Sequence, residues 1–96
     1  MRYNLSDRVY LGLKHLAQRH GVKKIILFGS RARGDFYECS DIDIAVSGGN
    51  TAEFSLDADE SIHTLLMFDI VDLDGDISEE LRKEIKRDGV MIYEKD

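Results

Sequence analysis

The chain has no proline, a single cysteine (Cys39) and no long apolar run. Without roughly 20 consecutive apolar residues there is no helix to span a bilayer, so a membrane protein of that kind is excluded. The opening stretch, MRYNLSDRVYLGL, lacks the apolar core and small-residue cleavage site of a secretory signal. One thiol cannot close an internal disulfide, and with the missing signal this favours a cytoplasmic protein. An excess of positive charge is also absent: 13 Lys and Arg face 19 Asp and Glu, a net charge of -6. Such a chain has no general attraction for phosphate backbones, so nucleic acid is not the expected partner. A phosphate site must instead be local, built from a few aimed donors for a small nucleotide. What remains is an ordinary folding composition, with 43% hydrophobic and 33% charged residues. No repeat, low-complexity stretch or linker divides the 96 residues, which suit one small domain with a modest core.

Periodicity and punctuation give the elements. Residues 5–20 read as a helix capped by Ser6, with Val9, Tyr10, Leu13, Leu16 and Ala17 on one face and Gly21 as a left-handed stop. Lys24-Ile25-Ile26-Leu27-Phe28 reads as a buried strand ending at Gly29-Ser30. A short helix can start over Ser30–Arg33 and stop at Gly34, and residues 35–40 read as a loop. Asp41-Ile42-Asp43-Ile44-Ala45-Val46 is a second strand, broken by Gly48-Gly49-Asn50. A short helix is placed within 51–63, and Leu65–Leu73 reads as a third strand. Asp76 with Glu79 matches a capping box for a last helix with Ile77, Leu81 and Ile85 on one face and Gly89 at its close. Val90-Met91-Ile92-Tyr93 is the final strand. The expectation is an α+β fold with a small mixed sheet covered by helices.

Three features carry chemistry. Phe28-Gly29-Ser30-Arg31 joins a strand to a helix start, where backbone N–H groups and the helix dipole favour an anion. Gly29 permits close approach of a ligand, and the Ser30 hydroxyl can donate to a phosphate oxygen. Arg31 and Arg33 follow, with guanidinium forks that suit phosphate. Taken alone, Gly-Ser is also an ordinary tight turn. In Asp41-Ile42-Asp43 both carboxylates point to one face of a strand while Ile42 and Ile44 point to the core. Adjacent like charges are best tolerated with a cation between them, and hard oxygens suit Mg²⁺. A solvated edge strand with two surface aspartates is the simpler alternative for that feature alone. Asp69 lies in an apolar run, where an ionised carboxylate is costly unless paired or metal-bound. The alternative is a hydrated strand end. Asp72 is a rival that borders the turn Asp74-Gly75-Asp76, where solvation accounts for it.

Taken together, Gly29-Ser30, the ten residues 31–40, Asp41-x-Asp43 and a later aspartate resemble the signature of the DNA polymerase β-like nucleotidyltransferase superfamily. The stretches Gly29-Ser-Arg-Ala-Arg-Gly-Asp and Ser40-Asp-Ile-Asp-Ile-Ala-Val46 are similar to its minimal branch, which includes the antitoxins of HEPN/MNT toxin–antitoxin pairs. The resemblance implies a polymerase β palm-like fold and the following roles. Gly29 and Ser30 cradle the β- and γ-phosphates, Asp41 and Asp43 bind two Mg²⁺ ions, and Asp69 shares one metal and helps activate the attacking hydroxyl. Arg33 is an auxiliary phosphate contact, and the role of Arg31 is left open. Two metals about 3.5–4 Å apart stabilise the attacking and leaving oxygens of an in-line displacement. The implied reaction transfers a nucleoside monophosphate, AMP from ATP being favoured, to a hydroxyl with release of pyrophosphate. Larger relatives carry an added helical part that helps bind acceptor and base, so the acceptor here is expected on a partner subunit, a HEPN-type helical protein, or in a homo-oligomer. The rivals are a non-catalytic antitoxin subunit and a small-molecule, antibiotic-modifying transferase.

The remaining residues attract no role. His15, His20 and His63 have no spacing that suggests zinc. Cys39 has no partner histidine in the pattern. The basic cluster Arg82-Lys83 and Lys86-Arg87 suits the negative end of its helix. Phe36 and Tyr37 are either contacts for a base or partner, or aromatics buried under their loop.

Overall fold

The computed structural model describes residues 3–95. Helix α1 (Asp7–His20) begins where Ser6 Oγ accepts the N–H of Val9 at 3.3 Å, and ends at Gly21 with φ 72°. Only a residue at ease in the left-handed region ends a helix this way, and glycine has no Cβ to oppose it. Val9, Leu13, Leu16 and Ala17 form its buried stripe, with Tyr10 half-buried beside them. There follow β1 (Lys24–Phe28), α2 (Gly29–Arg33), β2 (Ile42–Ser47), α3 (Thr51–Ser61), β3 (Phe68–Asp72), α4 (Glu79–Asp88) and β4 (Val90–Glu94).

The sheet order is β3-β2-β1-β4. β1 runs antiparallel to both β2 and β4, whereas β2 and β3 are parallel, as their connection through α3 allows. The sheet is therefore mixed, as the sequence led us to expect.

Alternation along the strands sorts side chains onto two faces. Ile25, Leu27, Ile42, Ile44 and Val46 join α1, Phe54 and Ala58 of α3, and Ile92 in the main core. Phe28, Ala45 and Ile85 of α4 form a smaller cluster on the other face. Asp43 lies between Ile42 and Ile44, so it belongs to that second, thinner face, where α4 and the short α2 give incomplete cover. No helix among the described residues is long and apolar enough to cross a membrane.

Four readings change in detail. The third strand covers Phe68–Asp72 rather than Leu65–Leu73; Leu65 is fully exposed and Met67 largely so. β3 is an edge strand, so an apolar run there does not imply burial on both faces. The last helix is capped by Ser78, whose Oγ accepts the N–H of Leu81 at 3.1 Å; Asp76 lies two residues too early. Gly89 closes α4 in an extended conformation, φ -67° and ψ 140°, not a left-handed one. Its lack of a side chain matters because a Cβ would strike the Ile85 carbonyl and Ile26. The helix within 51–63 forms over Thr51–Ser61, capped by Asn50 Oδ1 accepting the N–H of Glu53 at 3.1 Å.

Candidate active site

β1, β2 and β3 bring three of the expected positions side by side. The antiparallel register sets Phe28 against Asp43, so the Gly29-Ser30 turn begins beside that aspartate. The parallel register sets Asp43 against Asp69. Adjacent strands lie about 4.8 Å apart, so these carboxylates are neighbours on one face. Gly29 has φ 74° and packs so closely on Asp43 that a Cβ there would overlap its carboxylate. α2 starts at Gly29 after the extended Phe28, with no side chain capping its first N–H groups. Such groups lack intrahelical acceptors and favour an anion.

Asp43 is half-buried, and Asp41 and Asp69 are exposed. The Asp43 carboxyl is pushed up from 3.8 to about 6, chiefly by burial and next by the charge of Asp69. Asp41 and Glu84 of α4 add to the push, and a hydrogen bond to Asp69 favours the protonated form. A cation at this point would offset the repulsion among these carboxylates and favour the ionised form of Asp43. The donors are hard oxygens open to solvent on one side, which fits Mg²⁺, an ion that keeps several waters and takes other ligands from substrate phosphates. Among the described residues, no group of three or more His, Cys, Asp or Glu side chains is arranged to hold a metal ion. The fit rests on the Asp43–Asp69 pair, since Mg²⁺ is held by one or two carboxylates and takes its other ligands from water and substrate phosphates.

One expectation needs correction. Asp69 is not a carboxylate in a buried strand: it is exposed near the start of the edge strand β3, and its place beside Asp43 comes from register. Arg31, whose role the sequence leaves open, is buried. It is 5% exposed and donates to the carbonyls of Asn4, Glu38 and Ser40. Arg33, by contrast, is on the surface, and its guanidinium turns to Asp35 at 3.2 Å, Asp88 at 3.5 Å and Glu84 at 3.9 Å.

Phe36 lies under the Arg31 guanidinium, 4.8 Å from ring to carbon, whereas Tyr37 is exposed. Asp72 accepts the N–H of Asp74 at 2.9 Å within its turn, which accounts for it without a metal. Sequence reading missed Glu84, since nothing in the polar face of a helix marks which carboxylate will face a sheet. It also left His20 unpartnered, although its Nε2 lies 2.6 Å from Asp57 across α1 and α3.

The sequence pattern of the family described as polymerase beta, nucleotidyltransferase, matches residues 12–96. A Methanocaldococcus jannaschii protein, named as a candidate protein adenylyltransferase, is 54% identical over 39 residues. That stretch is 41% of this chain and 39% of the relative, well under two thirds of its length. Among solved structures, a toxin–antitoxin crystallised with AMP-PNP superposes with a TM-score of 0.71 at 23% identity, over 94% of this chain and 75% of that one. A structure described as a candidate minimal nucleotidyltransferase gives a TM-score of 0.63 at 28% identity, over 84% and 86%. The first of these likenesses speaks for the fold, the second also for sequence kinship, and the family match spans most of the residues that build the sheet and the turn. The chain belongs to the polymerase beta nucleotidyltransferase family.

Proposed function

We propose that this protein is a metal-dependent nucleotidyltransferase that moves a nucleoside monophosphate, AMP from ATP, onto a hydroxyl of a partner protein, and that it serves as antitoxin to a HEPN-type toxin. The observation that carries the reading is the contact of Gly29 with the Asp43 carboxylate, with Asp69 beside it. It puts a turn suited to phosphate against carboxylates suited to a divalent cation. The named adenylyltransferase activity of the M. jannaschii relative supports the reaction class. The toxin–antitoxin with AMP-PNP supports both the nucleotide and the kind of partner.

In this reading the N–H groups at the start of α2 and the Ser30 hydroxyl hold the β- and γ-phosphates. Asp41, Asp43 and Asp69 would hold Mg²⁺, which would supply charge stabilisation for the α-phosphoryl group and the pyrophosphate leaving group. The acceptor oxygen bonds to the α-phosphorus as the α,β-bridging P–O bond breaks, and pyrophosphate leaves. Asp69, exposed on the edge strand, would receive the proton of the acceptor hydroxyl. Arg33 joins as an auxiliary phosphate contact by exchanging Glu84 and Asp88 for phosphate oxygens. The exposed edge on which Asp69 sits leaves room for an acceptor carried by another chain.

A second reading, a nucleotide-binding antitoxin that works by contact alone, keeps the Gly29-Ser30 turn as the phosphate site and dispenses with the transfer. Label transfer separates the two. Wild type and Asp43→Asn are incubated with Mg²⁺ and α-labelled triphosphates in a lysate of the native host. Label on a discrete protein band, lost in the variant, supports protein nucleotidylation. Label on a small molecule would keep the chemistry and overturn the acceptor. No label from any triphosphate, in a lysate that contains the partner, would leave the contact-only reading.

A further inference from the structure

Asp41 differs from the other two carboxylates in how it is held. Asp43 and Asp69 sit within β2 and β3, fixed by the ladder. Asp41 precedes β2, so its position depends on the loop that returns from α2.

That loop is tied at its end by one side chain. Arg31 is the single charged residue buried among those described. Its Nε and Nη2 both donate to the Ser40 carbonyl, at 3.2 and 3.1 Å, and Nη2 also donates to the Glu38 carbonyl at 3.0 Å. Nη1 donates to the Asn4 carbonyl at 2.8 Å, and Asn4 Nδ2 returns a hydrogen bond to the Arg31 carbonyl at 2.7 Å. The Phe36 ring supports the guanidinium from below. The loop closes on itself through Tyr37 N to Ser40 Oγ at 2.9 Å and Ser40 N to the Tyr37 carbonyl at 3.0 Å. Ser40 is the residue immediately before Asp41. A planar fork can span three carbonyls at once; the compact ammonium of lysine cannot.

We propose that Arg31 is a positioning residue for Asp41: its guanidinium locks the Glu38–Ser40 carbonyls, so the first carboxylate of the pair is presented to the metal from a fixed loop end. The proposal rests on the metal reading above only in its last step. Because Arg31 also belongs to α2, the phosphate turn and Asp41 are joined through one side chain. None of the Arg31 hydrogen bonds reaches Asp43 or Asp69; they go to Asn4, Glu38 and Ser40.

The test uses the full chain, with Mn²⁺ as the metal probe, in Arg31→Lys alone and combined with Asp41→Asn or Asp69→Asn. Loss of an orienting group around a metal site costs on the order of 10-fold in affinity, the drop expected for Arg31→Lys. The loss should vanish on the Asp41→Asn background and persist on the Asp69→Asn background. An equal loss on both backgrounds would mean a general structural role and overturn the proposal. Amide hydrogen exchange is read in parallel. Ser40 protection should fall in Arg31→Lys while Ile44 protection holds; unchanged Ser40 protection would also overturn it. If wild type binds no Mn²⁺, the metal reading fails, and the exchange result alone decides whether Arg31 fixes the loop. Should Arg31→Lys fail to fold, Phe36→Leu removes the supporting ring and is expected to show the same pattern, with about a 2–5-fold loss of affinity.

Discussion

Gly29 rests on the carboxylate of Asp43, with no room between them for a single methyl group. The contact couples the residue that turns the chain into α2 with the residue that carries the site's most perturbed acid. It explains why glycine stands at this position twice over: φ is 74°, and the space is already taken.

Gly29→Ala therefore meets two penalties. Left-handed backbone at a non-glycine residue costs about 1–3 kcal/mol, and the new methyl must displace Asp43. Urea unfolding is expected to show a loss of at least that size, together with weakened Mn²⁺ binding because Asp43 moves. A variant with unchanged stability would mean that the turn relaxes and the contact does not constrain it.

Asp43 should set a pH dependence of stability with an unusual sign. Its folded-state value, about 6, lies above the ordinary 3.8, so the folded chain binds this proton more tightly than the unfolded chain. The resulting stabilisation is present below the ordinary value and is lost as pH rises from there through about 6. Asp43→Asn removes that slope and should make the metal-free protein more stable at neutral pH, by roughly 1 kcal/mol after allowance for solvent screening. Urea unfolding of both proteins across this pH range, with a chelator present, checks it. A variant less stable than wild type at neutral pH contradicts it.

Added divalent metal should reverse that order. Binding to the folded state alone stabilises by about 2.7 kcal/mol when free ion is 100-fold above its dissociation constant. Thermal unfolding with Mg²⁺ or Mn²⁺ at neutral pH should therefore shift upward for wild type and much less for Asp43→Asn. Equal shifts would place the ion elsewhere.

The α1–α3 clasp offers an independent check of the fold. Asp57 is held below the ordinary carboxylate range, first by its hydrogen bond to His20, with Arg19 and Ser61 contributing less. In His20→Ala its titration, followed by carboxyl carbon NMR, should move up toward the ordinary value. No movement would mean the 2.6 Å contact does not persist in solution.

Helix α4 provides the last prediction and a view of what the sequence disclosed. Ser78→Ala should cost about 1 kcal/mol, the usual worth of an N-cap, and Asp76→Ala should cost little. The capping-box pattern pointed to Asp76 because Asp76 and Glu79 have the right spacing. Ser78, nearer the helix, is the residue whose hydroxyl reaches an orphan N–H. Elements with a clear pattern were readable: α1, with its Ser6 and Gly21 stops, and β1, apolar after Lys24. The Gly-Ser and Asp-x-Asp placements were readable because strand alternation and turn chemistry are local rules.

What was hidden depends on which strands meet. The burial of Arg31 needs the Asn4 and Ser40 carbonyls, residues that a local reading cannot bring together. The exposure of Asp69 follows from β3 being an edge, and its position beside Asp43 follows from parallel register. Neither is encoded in the apolar run that first drew attention to it. Glu84 reaches the site only because α4 crosses that face of the sheet.

The most direct measurement is anomalous diffraction from crystals grown with Mn²⁺ and a non-hydrolysable ATP analogue. The site described here requires a manganese peak among the carboxylates of Asp41, Asp43 and Asp69, with the β- and γ-phosphates on the Gly29-Ser30 turn. Manganese absent from these carboxylates at saturating ion, or phosphates bound away from that turn, would contradict it.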